Sequence, residues 1–474
     1  MSRIIRHSMI FGTGNIISRS IAILLVPIYT RNMTVTEFGV FSAGLTLYTV
    51  LNIIMRGGAP AVMLKLYVED RESRGQVVFM TYLYTFTVAC LTVAISLLLS
   101  GNFFKWLIGA DSLLTYIIII GSAFAEAMIE VPMNIFRAKE QSRLFAVFSV
   151  ISSVLTLVLS YIFISIMKMR INGAFLAMLL AKGIVFAASS VFLIHDFTWT
   201  FSKKISDEIM RLGTPIVVSG LSLWIVNMSD RLIITSIRGA YEAGLYSLGN
   251  RIGTMLNILI LTPFSLVWGV ESLRIYYKSE NRDGRFASLF LKITGVCIMA
   301  GIFLSVFARE LVMLFATGEY MKSVIIVSVI ALSNILYIMY YFHTFYFMII
   351  KKTYILTLIV ALAAAVNVVL NIMLLRYFDY RIVSVTNLFA TLLIYLAIII
   401  TTSKELSFNH SYGKISIGFL CFACASGVGL IENIAFPIAV KSAVVILLFF
   451  VTMKIFGIDS VVYTVLRKIR ILKR

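Results

Sequence analysis

Residues 354–375 read YILTLIVALAAAVNVVLNIMLL, twenty-two positions without a single charged side chain. A helix of that length crosses the roughly 30 Å hydrocarbon core of a bilayer, whereas apolar core segments of soluble proteins are usually shorter and interrupted by polar faces. Working outward from this window, spans are predicted near residues 8–30, 38–61, 77–99, 113–133, 144–166 and 172–194, and then near 211–235, 244–270, 286–308, 324–349, 354–375, 382–402, 415–432 and 438–457. The bulk composition agrees: of 474 residues 60% are hydrophobic and 13% charged, about half the charged share of a soluble chain. With the spans assigned, the connections are short, and the longest, residues 195–210, is basic and reads as a linker between two bundles. No stretch is left for a sizeable soluble domain, so any activity sits in or beside the bilayer.

Fourteen spans place both termini on one side. Lys and Arg concentrate in alternate connections, at Lys65, Arg71 and Arg74, at Arg137, Lys139 and Arg143, at Lys203, Lys204 and Arg211, at Arg274, Lys278, Arg282 and Arg285, and in the tail from Arg467 to Arg474. Basic residues are retained in the cytoplasm, so these segments and both termini are expected to be cytoplasmic. The first span lacks a small-residue cleavage site after it and is expected to stay in place. The net charge of +19, which in a soluble protein would suggest nucleic acid, here follows from topology and from cations inside the membrane.

An offset of 205 residues superimposes Glu37, Gly39, Phe41, Ser42 and Gly44 on Glu242, Gly244, Tyr246, Ser247 and Gly249, the pattern E-x-G-x-[FY]-S-x-G at the start of the second span of each half. Arg170-Ile171 and Arg381-Ile382 are a weaker echo at the sixth and twelfth spans. A shift of six helices is even, so the two copies share an orientation and are related by an axis along the membrane normal. Two such bundles facing each other suit alternating access.

These residues also resemble a known family. Leu25-Val26-Pro27-Ile28-Tyr29 followed by Thr36-Glu37-Phe38-Gly39-Val40-Phe41-Ser42, and Met228-Ser229-Asp230-Arg231-Leu232 through Glu242-Ala243-Gly244-Leu245-Tyr246-Ser247, resemble signatures of the polysaccharide-specific transporters, Wzx-like flippases of the multidrug/oligosaccharidyl-lipid/polysaccharide (MOP) superfamily. Leu314-Phe315 to Tyr320 and Asn367-Val368-Val369-Leu370-Asn371 are similar to further patterns of that family, while the corner Tyr377–Ser384 lacks its usual glycines. The resemblance implies an all-α polytopic membrane protein with twelve core helices and two extra. Residues 1–200 and 201–405 would form six-helix bundles related by a pseudo-two-fold along the membrane normal, with 406–474 holding two more helices and a basic tail. It implies movement of an undecaprenyl-pyrophosphate-linked oligosaccharide, such as an O-antigen unit, from the cytoplasmic to the periplasmic leaflet of a bacterial inner membrane. Membrane lipids, a polysaccharide polymerase and other assembly proteins are the expected partners, and no nucleic acid is.

Charges inside the spans carry the candidate site. A charge at the bilayer centre costs about 3 kcal/mol on insertion scales, so those that remain usually face protein or a water-filled cavity. Arg19 and Lys182 lie mid-way along the first and sixth spans, Arg231 and Arg251 in the outer halves of the seventh and eighth, and the acids at comparable depth are Glu126, Glu130 and Asp230. Four cations against three acids favour an anion, and guanidinium groups grip pyrophosphate oxygens in a forked geometry. Arg19, Lys182, Arg231, Arg251 and Arg56 are therefore the candidate substrate-binding residues. Arg56, Lys292 and Lys454 lie near span ends, where snorkelling or pairing within a bundle is also expected. Adjacent helical residues point about 100° apart, so Asp230 meets a cation other than Arg231, either as a gate or as a fixed structural pair. Glu126 and Glu130, four apart on one face, either carry a coupling proton or cation or neutralise Arg19 and Lys182.

Other signals are weaker. Cys421-x-x-Cys424 lies in an apolar span with no His or acid beside it, and like Cys90 and Cys297 it reads as packing. Gly249-x-x-x-Gly253 permits close helix approach. No Walker loop, cofactor motif or metal-ligand spacing is present, and coupling to a proton or cation gradient is the one energy source left to consider. A MATE-like drug or cation antiporter would call for a dominant acidic site in an aromatic cleft. A polysaccharide polymerase would call for a large external loop bearing catalytic groups. The chain is accordingly expected to be a transporter and not an enzyme.

Overall fold

The computed structural model describes residues 17–18, 20–69, 73–98, 107–109, 112–350, 352–402, 411–430 and 438–458. Lipid offers no hydrogen bonds, so a spanning backbone must satisfy its own, and the described residues are mostly helical, with no strand among them. Among the described residues, thirteen helical stretches are long and apolar enough to cross a membrane, and they coincide one for one with the second to fourteenth expected spans. Of the first, expected over 8–30, residues 20–32 form helix α1, while 1–16 and Arg19 lie outside the described residues.

Contacts group the chain into two compact units, Met1–Gly244 and Leu245–Arg474. The first holds α1 and then α2 (Val35–Arg56), α3 (Ala59–Glu69), α4 (Arg74–Leu98), α5 (Leu113–Ala138), α6 (Ser142–Ser160), α7 (Arg170–Val191) and α8 (Lys203–Arg238), and ends within α9 (Ala240–Gly253). Helix α2 begins at a capping box, in which the Thr34 hydroxyl accepts from the Glu37 amide and Glu37 Oε2 accepts from Thr34 N at 2.9 Å, a device worth about 1 kcal/mol. Glu37 also pairs with Arg170 at 2.6 Å, which ties the start of α2 to that of α7. Phe41 lies between Tyr29 and Phe175, with ring centroids 4.6 and 5.3 Å away, and Asn52 Nδ2 donates to the Ala123 carbonyl of α5 at 3.3 Å.

The second unit contains the rest of α9, then α10 (Thr262–Lys278), α11 (Arg282–Val306), α12 (Ala308–Phe315), α13 (Val324–His343), α14 (Thr353–Leu374), α15 (Ile382–Thr402), α16 (Tyr412–Leu430) and α17 (Ile438–Phe456). Its core is an aromatic cluster: Trp268 stacks on Phe342 at 4.1 Å and donates its Nε1–H to the Phe342 carbonyl at 3.1 Å. Gly249 and Gly253 of α9 lie against Ile326 and Ile330 of α13, closer than a Cβ allows, so their spacing does serve close approach. At the corner without glycines, Asp379 Oδ1 accepts from the Arg381 amide and the Tyr380 hydroxyl donates to the Lys322 carbonyl.

Three expectations change. The connection over 62–76 is helical as far as Glu69, because α3 continues beyond the Gly57-Gly58 turn. The linker 195–210 is non-helical only to Ser202, whose side chain accepts from the Ile205 amide and starts α8. The eighth span is not one helix: α9 ends at Gly253, a π-helical segment Asn257–Leu261 follows, and α10 resumes at Thr262-Pro263.

The repeated glycines meet each other within the first unit. A Cβ on Gly39 would stand 1.7 Å from the Ala240 carbonyl oxygen, and a Cβ on Gly244 would stand 2.1 Å from that of Val35. Val35 and Ala240 are themselves 205 residues apart. The contact is thus reciprocal, as a two-fold-related pair requires, and glycine is needed at both positions for the first turns of α2 and α9 to touch through backbone.

Candidate functional site: an ionic cluster in the first unit

Three helices of the first unit carry charges into one place. Along α2, Tyr48, Asn52 and Arg56 recur every four residues and so lie on one face, turned towards α5. Helix α5 supplies Glu126 and Glu130, and α7 supplies Lys182. Lys182 Nζ stands 3.0 Å from Glu126 Oε2. Arg56 Nη2 stands 3.2 Å from Glu130 Oε1 and 3.9 Å from Glu126 Oε1. The Tyr48 side chain lies beside Glu126 and completes its surroundings. Glu130 is further held by Asn134, whose Nδ2 donates to its carboxylate at 3.1 Å and to its carbonyl at 2.8 Å.

The cluster is shielded but not sealed: the side chains of Glu126 and Lys182 are 18% and 22% exposed, and that of Arg56 is 32% exposed. An isolated charge here would be strongly disfavoured, whereas two cations and two carboxylates within hydrogen-bond reach offset one another.

The predicted residues are distributed as follows. Glu126, Glu130, Lys182 and Arg56 come together, and Arg56, expected to reach an interface or pair within its bundle, takes the second course. Glu126 and Glu130 neutralise Lys182 and Arg56, while Arg19 lies outside the described residues. The four described charges cancel, so the expected excess of cations rests on Arg19, Arg231 and Arg251. Asp230 is buried in α8 at 2% exposure, and Arg231 Nη1 donates to Met228 Sδ one turn back at 3.2 Å. Arg251 is half-buried near the end of α9. Lys454 lies over the Phe450 ring at 4.7 Å.

Sequence reading missed two participants. Tyr48 was legible only as the start of the four-residue polar stripe on α2. Lys441 of α17, 7% exposed, pairs with Glu310 of α12 at 2.6 Å, a lone cation near a span end matched to a lone acid. Among the described residues no group of three or more metal-ligating side chains occurs. The four cysteines are free.

The helical architecture defines a class: it is the fold of solved MOP-superfamily transporters. The lipid II flippase MurJ in an inward closed conformation superimposes with a TM-score of 0.73 at 14% identity, over 96% of this chain and 100% of that one. An inward-facing multidrug resistance MATE family transporter gives 0.65 at 16% identity over 84% of this chain and 94% of its own. At these identities the shared property is the fold. Residues 4–268, more than half of the sequence, match the polysaccharide biosynthesis protein family, and the chain belongs to that family. An uncharacterized membrane protein of Haemophilus influenzae is 24% identical over 269 residues, 54% of this chain, and the match spans 62% of that relative's length.

Proposed function

We propose that the protein is a flippase that carries a lipid-pyrophosphate-linked oligosaccharide across the cytoplasmic membrane by alternating access. Family membership and the transporter fold support this reading. The observation that carries it furthest is the ionic cluster of Arg56, Lys182, Glu126 and Glu130, carried by three apolar spans of the first unit. In this reading the cations, joined by Arg19, Arg231 and Arg251, exchange a carboxylate partner for the pyrophosphate as it passes, while the lipid tail stays in the bilayer. Asp230 serves as a gate. The repeat supports a division into bundles 1–200 and 201–405 with an appendix from 406, and the basic connections support cytoplasmic termini. No covalent bond has to break, and a polymerase that consumes the delivered unit is the expected partner.

The partly buried Glu126, paired with Lys182 and near Arg56, also favours a role in coupling, which an antiporter of the same fold would share.

The test is export of the lipid-linked sugar, read as surface polysaccharide together with protein abundance. Arg19→Ala and Lys182→Ala should each reduce export strongly at normal abundance. Arg19→Lys should recover only part, because an ammonium lacks the planar fork, and Lys182→Arg should be tolerated better than Lys182→Ala. Full export by the double alanine variant would refute the cationic pathway.

A further inference from the structure

The two helices that carry the repeated motif are both interrupted, at neighbouring but not equivalent positions. Helix α2 ends at Arg56 and turns through Gly57 and Gly58, at φ 55° and 73°. The 205-residue offset carries Gly57 and Gly58 onto Thr262 and Pro263, where the second copy resumes as α10 after its π-helical segment. Interrupted spans and π segments inside helices are places where membrane transporters put ligands, because backbone and side-chain polar groups are freed there.

The two breaks differ in chemistry. The first is ionic, with Arg56 at its edge. The second is neutral: Asn257 Nδ2 donates to Asn334 Oδ1 of α13 at 2.6 Å, Asn334 Nδ2 donates to the Ile330 carbonyl at 2.7 Å, and Thr262 Oγ1 donates to the Asn257 carbonyl at 2.9 Å. One turn beyond Asn334 on α13 stands Tyr337, half-buried, its ring 5.2 Å from that of Tyr340. Within this network Asn257 Oδ1 is shielded from solvent and has no hydrogen-bond partner. A buried acceptor without a donor is uncommon and calls for an explanation.

Resting on the flippase reading, we propose that this second break, formed by Asn257, Asn334 and Tyr337, is the subsite for the uncharged sugar of the transported molecule. A sugar hydroxyl both donates and accepts, as does a carboxamide, so a hydroxyl supplies the donor that Asn257 Oδ1 lacks. The phenol ring offers an apolar face with a polar edge, suited to a pyranose. A metal ion would require several further oxygen ligands, whereas one unpartnered acceptor asks for one donor.

The experiment uses the full chain in proteoliposomes. The probe is the pyrophosphate lipid extracted from the host cells, with its oligosaccharide intact or trimmed to the first sugar. Asn257→Ala should lower transfer of the intact lipid at least tenfold and of the trimmed lipid by less than twofold. Asn257→Ser and Tyr337→Phe, smaller perturbations, should lower the same ratio by threefold or more, and they carry the test if the alanine variant does not reconstitute. Equal loss for both lipids, or no loss, overturns the subsite. A changed sodium dependence with an unchanged ratio overturns it in favour of a cation site. If the unaltered protein moves neither lipid, the flippase reading itself fails and the subsite with it.

Discussion

Glu126→Gln keeps the size of the side chain and removes the charge that holds Lys182. At 3.0 Å and an effective dielectric of about 20, the attraction lost is roughly 5–6 kcal/mol before desolvation is counted. Leaving one member of a buried pair without its partner costs about 3–5 kcal/mol. Here Lys182 is 22% exposed and can still donate to an amide oxygen, so the expected destabilisation is about 2–3 kcal/mol. Arg56 keeps Glu130 at 3.2 Å and contributes little to the loss. Lys182→Met alone should cost about 1–2 kcal/mol, because Glu126 retains Tyr48 and the more distant Arg56. The double variant removes both charges at once and should be less destabilised than the sum by about 2 kcal/mol. The unfolding free energies of the three variants in one detergent give the cycle. Additivity within about 0.5 kcal/mol would show that the 3.0 Å approach contributes no coupling and would refute the cluster as an energetic unit.

If Glu126 only balances cations, Glu126→Gln should leave some transport whose dependence on an imposed proton gradient is unchanged, whereas loss of that response would assign it the coupling role. Gly39→Ala forces the first turns of α2 and α9 apart and should lower stability by about 1–3 kcal/mol; Gly39→Ala with Gly244→Ala should cost less than the sum, since one separation relieves both, and thermal unfolding of the three proteins checks it. Lys441→Met should loosen α17 from α12 by leaving Glu310 alone, and Glu310→Gln in the same chain should restore stability to within about 1 kcal/mol of the original, as read by limited proteolysis. Single cysteines in 62–76, 134–143, 195–210 and 271–285, placed in a chain lacking the four natural ones, should resist an impermeant thiol reagent in intact cells; labelling of 271–285 from outside would reverse the orientation.

The sequence by itself determined what depends on local sums. Hydropathy over about twenty residues is a property of one segment, so thirteen spans could be placed without knowing any neighbour. The 205-residue repeat was equally legible, since it compares the chain only with itself. What tertiary structure decided was which polar groups meet. That Arg56 turns to Glu130 and Lys182 to Glu126 depends on how α2, α5 and α7 are rotated about their own axes, an arrangement fixed by packing over 126 residues of separation between Arg56 and Lys182. The glycines of the repeat could be read as permitting close approach, but only the folded chain shows that Gly39 and Gly244 approach each other. The break at Asn257–Leu261 was hidden because its residues, Asn-Ile-Leu-Ile-Leu, are as apolar as those of an unbroken span. A one-residue excess in a helical turn leaves no trace in hydropathy, since it arises from how the turn fits its neighbours and not from the residues' own preference.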